Sequence, residues 1–163
     1  MTKIHEMLNE QFNFEIESAY LYKAMETYVD QKGMKGFAHF FNVQAQEEMF
    51  HAQKFYDFMM SIDASPKYTG IPEPQAEFGN FKDTFAAALE HEKEVTRRIK
   101  EIYKAAVAEE DLDTPEFLHW FLDEQREEEE TFRDIVERLE RIGENWGGLY
   151  IFDGQLAQRP AQG

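Results

Sequence analysis

Residues 37–62 read FAHFFNVQAQEEMFHAQKFYDFMMSI. Phe37, Phe41, Gln44, Glu48, His51, Phe55, Phe58 and Ile62 fall three or four apart, the spacing that places side chains on one helix face. The stripe is apolar at both ends and polar in its middle, where Gln44, Glu48 and His51 follow one another. A carboxylate inside an apolar face is costly to bury unless a cation or a proton compensates it. That interruption recurs elsewhere in the chain and decides how the rest reads.

A first helix runs from Ile4 to about Gln31, with Leu8, Phe12, Ala19, Tyr22 and Val29 on one face and Glu15 and Glu26 at intervening positions. Gly33 and Gly36 break it before the second helix, Phe37 to Ile62. Asp63 to Asn80 has no period and holds Pro66, Gly70, Pro72, Pro74 and Gly79, which marks a loop. A third helix spans Phe81 to about Ala108, with Phe85, Leu89, Glu92, Thr96, Ile99 and Tyr103 on one face. After a turn at Asp111 to Pro115, in which Thr114 or Asp113 can cap, a fourth helix carries Leu118, Phe121, Gln125, Glu128, Phe132, Ile135, Leu139 and Ile142 and ends at Gly143.

Helices of this length are each ~40 Å long, and seams spaced three and four apart suit bundle packing. Tight connections make the first two helices an antiparallel pair, and likewise the last two. The central loop can reach ~60 Å. It is long enough to run the length of the bundle and start the third helix at the end where the first began. An up-and-down bundle has no need of such a loop, whereas one long crossover is a known alternative connection. The apolar run Leu149-Tyr150-Ile151-Phe152 is too short for a core of its own and must dock on this subunit or on neighbours.

Composition narrows the function. With 42% apolar residues, 15 Phe and 7 Met, the chain can bury one sizeable core. It has no Cys, which excludes disulfides, zinc-thiolate sites and iron–sulfur clusters. Seventeen Lys and Arg against 33 Asp and Glu give a net charge of −16, a field that repels nucleic acid and attracts cations. Met1-Thr2-Lys3-Ile4-His5-Glu6 shows no apolar leader, and no run approaches the ~20 apolar residues of a membrane span. The expectation is a cytoplasmic protein with no membrane or nucleic-acid partner.

Each of the four helices places one glutamate at mid-length in its own apolar face: Glu15, Glu48, Glu92 and Glu128. A single such acid is usually at the stripe edge or paired with a base. Four together, with no Lys or Arg on the same faces, leave a bound cation as the remaining compensation. His51 lies three residues after Glu48, so carboxylate and imidazole can address one metal. Oxygen ligands with one nitrogen suit iron, and a bridging carboxylate lets four glutamates serve two metals.

Helical bundles with a di-iron centre take a Glu from each of two helices and Glu-x-x-His from the other two. Leu8-Asn9-Glu10-Gln11-Phe12-Asn13-Phe14-Glu15 with Tyr22, Ala45-Gln46-Glu47-Glu48-Met49-Phe50-His51, His91-Glu92 and Glu124-Gln125-Arg126-Glu127-Glu128-Glu129 resemble the corresponding helices of bacterial non-haem ferritins. Gly148-Leu149-Tyr150 resembles the start of their short fifth helix. The resemblance covers nearly the whole chain. It implies an all-α, ferritin-like four-helix bundle with one long crossover and a short C-terminal fifth helix. That would be a single domain over 1–163, with the bundle at about 4–143 and the C-terminal helix and tail at about 145–163.

The resemblance also implies roles. Glu15, Glu48 and His51 would hold a first iron, with Glu48 bridging, and Glu92 and Glu128 would complete a second, with Gln125 close by. Glu47, Glu124 and Glu127 match a third iron position, with which Glu128 would be shared. Tyr22 matches a tyrosine that bonds a ligand or donates an electron; Trp120 is a further electron source or a packing residue. The activity implied is ferroxidase, Fe(II) oxidised by dioxygen or hydrogen peroxide and stored as ferric mineral inside a homo-oligomeric shell of twenty-four subunits. Glu109, Glu110, Asp111, Asp113 and Glu116 would line a pore of that shell. Thr131 stands where haem-binding bacterioferritins carry a second Glu-x-x-His, so haem is not expected, although Met49 occupies their haem-ligand position. The alternatives are a bacterioferritin-like store, a di-iron oxidase of an organic substrate, and a non-catalytic acidic bundle.

Overall fold

The computed structural model of the chain describes residues 1–161. Among these residues there are five helices and no strand: α1 (Lys3–Gln31), α2 (Lys35–Ser61), α3 (Phe81–Ala108), α4 (Asp113–Ile142) and α5 (Trp146–Leu156). α1 packs on α2 and on α3, α3 on α4, and α5 on α2 and α4. The expected bundle with a long crossover and a short fifth helix is present. Residues 162 and 163, the end of the expected tail, lie outside the described residues. No helix among those described is long and apolar enough to cross a membrane.

Local chemistry sets most of the helix starts. Thr2, Asn80 and Asn145 each accept a backbone N–H three residues on, the bond an N-cap side chain is suited to make. The start of α4 differs from the sequence expectation. Neither Asp113 nor Thr114 is the cap; Asp111 Oδ1 accepts from the N–H groups of both, at 3.0 and 3.1 Å. An acid just ahead of the helix reaches two of its orphan donors at once. Gly33, at φ 81°, ends α1 in the left-handed region, but Gly36 breaks nothing and lies inside α2.

The direction of α3 also departs from the expectation. Tyr28, near the end of α1, packs edgewise on Phe78, just before α3, while Phe14, in the first half of α1, lies under Arg98, well along α3. The third helix therefore begins at the end where α1 finishes. The reason is topological: α2 already ends beside the start of α1, so a loop that crosses the bundle must deliver α3 to the opposite end. The crossover lies along α1 like a strap. Asn9 Oδ1 accepts from Lys67 N–H at 2.7 Å, Asn13 Oδ1 accepts from Thr69 N–H at 3.0 Å, and Asn13 Nδ2 donates to Lys67 O at 2.8 Å.

The interior is divided into two apolar halves. One gathers Tyr28, Met34, Phe37, Phe41, Phe85, Phe132 and Leu139; the other gathers Leu8, Phe12, Phe55, Met59, Val95, Ile99, Leu118 and Phe121. Between them lies a buried polar waist of Gln11, Glu15, Ser18, Gln44, Glu48, His51, Glu92, Gln125 and Glu128. The sequence left open whether the C-terminal apolar run docks on its own subunit, and it does. Leu149 and Phe152 are buried, and Asp153 Oδ1 accepts Phe37 N–H at 2.8 Å. The close approach requires Gly36: a Cβ there would sit 1.8 Å from Asp153 O. Tyr150 and Ile151 stay exposed on the outer side of α5.

Candidate metal centre

The waist brings together acids from four helices. Glu15 of α1 and Glu48 and His51 of α2 form one group whose ligand atoms lie within 4.8 Å of one another. Glu48, Glu92 of α3 and Glu128 of α4 form a second group on the same criterion, so Glu48 is common to both. All five residues are buried. Glu47, Glu124 and Glu128 form a third group. Glu128, expected to be shared with this position, lies in it, and Glu127 lies on the exposed face of α4, outside the group. Met49 and Thr131 are both exposed, on α2 and α4.

Neutral donors orient the carboxylates. Gln11 Nε2 donates to Glu15 Oε1 at 3.2 Å, and Tyr22 Oη donates to Glu92 Oε1 at 2.6 Å. Gln125 Nε2 reaches Glu92 Oε2 at 3.0 Å. Gln44 Nε2 bridges two helices, donating to Glu48 Oε1 at 3.0 Å and Glu128 Oε2 at 2.8 Å. These amides supply no charge. The one basic side chain inside the waist is His51, whose Nδ1 lies 3.3 Å from Glu48 Oε2 and 3.9 Å from Glu15 Oε2. Glu15 Oε2 is fully buried and accepts no hydrogen bond from the described residues. This set fits hard cations: it is rich in oxygen, carries one imidazole, and leaves a buried acceptor unsatisfied.

Electrostatics point the same way. Burial pushes Glu48 up to about 7 against the pull of His51, with the Glu15 charge adding to the rise. Burial raises Glu92 and Glu128 well above the ordinary carboxylate range; the charge of Glu48 adds to both, and that of Glu92 to Glu128. Burial alone would lower His51, but the Glu48 and Glu15 carboxylates override it and hold the ring well above its usual value. His91, beside Glu92, takes no part in the cluster. It faces Ser18 Oγ at 2.6 Å and stacks on Phe14, and burial together with Arg98 lowers it to about 4.

A model of the ferritin-like domain matches residues 5–142. A bacterial non-heme ferritin of Staphylococcus haemolyticus is 41% identical over 154 residues, which is 94% of this chain and 93% of that protein. The chain belongs to the ferritin family. Solved ferritins superpose closely. The open pore ferritin of the hyperthermophilic archaeon Archaeoglobus fulgidus has a TM-score of 0.97 at 42% identity, covering 98% of this chain and 99% of its own. A humanized archaeal ferritin reaches a TM-score of 0.98 at 40% identity, covering 100% and 99%.

Within this ferritin, sequence reasoning missed several residues. Gln44 sat in the α2 stripe as a core position, and its spacing one turn before Glu48 was the signal that it serves the site. Thr96 Oγ1, which donates to Glu129 Oε2 at 2.6 Å beside Gln125, carried no signal, because two helices from different parts of the chain create the contact. Arg159 carried none either: its side chain reaches Glu47 only because α5 docks.

Proposed function

We propose that this ferritin oxidises Fe(II) at the buried waist of each subunit and stores the ferric product within a homo-oligomeric shell. The observation that carries the reading is the pairing of two ligand groups through Glu48, four acids against one imidazole, with no Lys or Arg between them. Glu15, Glu48 and His51 hold the first Fe(II); Glu48, Glu92 and Glu128 hold the second; Glu47, Glu124 and Glu128 take a third ion beside it. Fe(II) is here a substrate: two ions each lose one electron, and dioxygen accepts both with two protons. Gln44 keeps Glu48 and Glu128 aimed at the pair, and Gln125 and Tyr22 fix Glu92. His51 must give up its proton before it ligates, and the raised carboxylates do the same, so loading releases acid.

Tyr22 lies between Phe41 and Phe132, and Trp120 and Phe121 close the other side of His51. That filling supports a ferroxidase over an oxidase of an organic substrate, which needs a pocket above the metals. In this reading 1–163 acts as one domain in the cytoplasm, twenty-four copies form the shell, and the acidic turn before α4 steers Fe(II) inward. Fe(II) added to aerated protein without any organic substrate should produce a fast absorption change in proportion to subunits present. No change, or one that needs an organic co-substrate, overturns the assignment. Particle size with iron bound per subunit tests the shell.

A further inference from the structure

The C-terminal tail returns to the third ligand group. Arg159 donates from Nη2 to Glu47 Oε2 at 2.8 Å and from Nη1 to Phe40 O at 3.1 Å, and its guanidinium lies 4.1 Å from the centroid of the Phe40 ring. Its own carbonyl oxygen is 2.8 Å from His39 Nε2. The side chains of Arg159 and Glu47 are 16% and 9% exposed, so this is a seated contact and not a passing surface pair. A stacked, forked guanidinium with a carboxylate partner is the geometry for which Arg is suited and Lys is not. Glu47 therefore stands in two arrangements of charge at once. It belongs to the group of Glu47, Glu124 and Glu128, and it already holds a cation supplied by the same chain.

We infer that Arg159 sets the affinity of the third metal position by competing for Glu47. The inference rests on the reading of Glu47, Glu124 and Glu128 as a metal position. Two cations sharing one carboxylate repel each other, so an ion arriving there must displace the guanidinium or bind against it. The first two positions use no atom of Glu47 and are untouched. The third position is thereby kept weak, which suits a place where ions pass and do not stay. Coupling runs both ways by thermodynamic necessity: an ion that weakens the Arg159 contact is weakened by it in equal measure, and ion binding loosens the tail.

The test is anaerobic calorimetric titration of the assembled, iron-free protein with Fe(II), comparing the parent with Arg159→Gln, Arg159→Lys and Glu47→Gln. Arg159→Gln leaves a shorter polar side chain and removes the charge; it should tighten the third ion by about tenfold and leave the first two unchanged. Arg159→Lys should fall between the two, since it keeps charge but loses the fork. Glu47→Gln should abolish the third ion in either background. Amide exchange of residues 157–159 should quicken on saturation with Fe(II) in the parent and be fast throughout in Arg159→Gln. If Glu47→Gln removes the third ion while Arg159→Gln leaves its affinity unchanged, Arg159 is a structural latch and the inference fails alone. If Glu47→Gln leaves the ion count unchanged, the third position itself is wrong and the inference falls with it.

Discussion

Tyr22 donates its phenol to Glu92 across 2.6 Å, linking α1 to α3 inside the waist. Its ring stacks on Phe132, 3° from parallel, so the hydroxyl has little freedom to turn away. Burial, together with the Glu92 charge, raises the phenol well above its ordinary value, so Tyr22 remains a donor at any physiological pH. Tyr22→Phe removes the donor and keeps the packing. The iron-free variant should lose about 1–3 kcal/mol, the cost of leaving a buried partner unsatisfied. Urea unfolding measures this; a variant as stable as the parent would mean that Glu92 has found another donor.

The ligand assignments face a direct kinetic test. Glu48→Ala removes the carboxylate common to two groups, and His51→Ala removes the one imidazole. Either should slow Fe(II) oxidation by at least about tenfold, while circular dichroism stays helical. The fold survives because buried acids left without a counter-ion cost stability. Unchanged initial rates in both would sink the ferroxidase reading.

Acidity should govern the iron-free protein. Glu48 titrates near 7 in the folded subunit against 4.5 in the unfolded chain, so between those values the folded state binds more protons. Stability then falls as pH rises through that window, the reverse of the usual carboxylate behaviour. Glu92, Glu128 and His51 are raised as well, so each keeps a proton that the unfolded chain has already released, and each extends the decline upward in pH. Melting temperature of metal-free protein should decline from pH 5 to pH 7. Fe(II) under nitrogen should reverse the decline. A melting temperature that climbs over this range would contradict the electrostatics.

The two positions should not fill alike. The first combines two acids with imidazole; the second is all oxygen and shares Glu128 with the third group. Nitrogen ligation favours Fe(II), and a shared carboxylate is more readily surrendered. Crystals soaked in limiting Fe(II) should show the His51 position occupied first. Equal occupancy at every dose would refute the asymmetry.

Gly36 offers a test of how α5 is held. A methyl group there meets Asp153 O at 1.8 Å, and backbone cannot step aside as a side-chain tip can. Gly36→Ala should cost about 1–3 kcal/mol through overpacking and loosen α5 from α2. Light scattering would read any accompanying loss of shell integrity. A full-sized particle with parental melting temperature would show that α5 shifts without penalty.

The residues that made the chain legible were those that violated a pattern. Glu128 in the α4 stripe and His51 after Glu48 stood out because acids and imidazole do not belong in an apolar seam, and periodicity fixes their direction whatever the tertiary structure. The same logic could not reach contacts made between segments far apart. Gly36 looked like a breaker because its neighbour Asp153 was 117 positions away. Asp111 was not read as the cap because two better-placed candidates followed it. Glu127 enters the third position by resemblance alone; on α4 it lies on the exposed face while its neighbour Glu128 turns inward. The course of α3 departs from expectation for a different reason: loop length sets how far the crossover reaches, whereas the antiparallel course of α2 sets the end at which α3 begins.

The strap along α1 has a bearing on distance. One ligand group lies wholly on the first helical hairpin, and the other joins Glu48 to Glu92 and Glu128 on the second, so the centre exists only while the hairpins keep their mutual registration. A slip of one turn would displace the facing carboxylates by about 5.4 Å, more than any metal–oxygen bond can span. Asn9 and Asn13 fasten the strap to α1 at three hydrogen bonds, at its near end, and Phe78 against Tyr28 anchors the far end. The crossover is thus a ruler as well as a connection. Changes to its exposed middle leave the spacing intact, whereas loss of either anchor lets the two halves of the centre drift out of reach of each other.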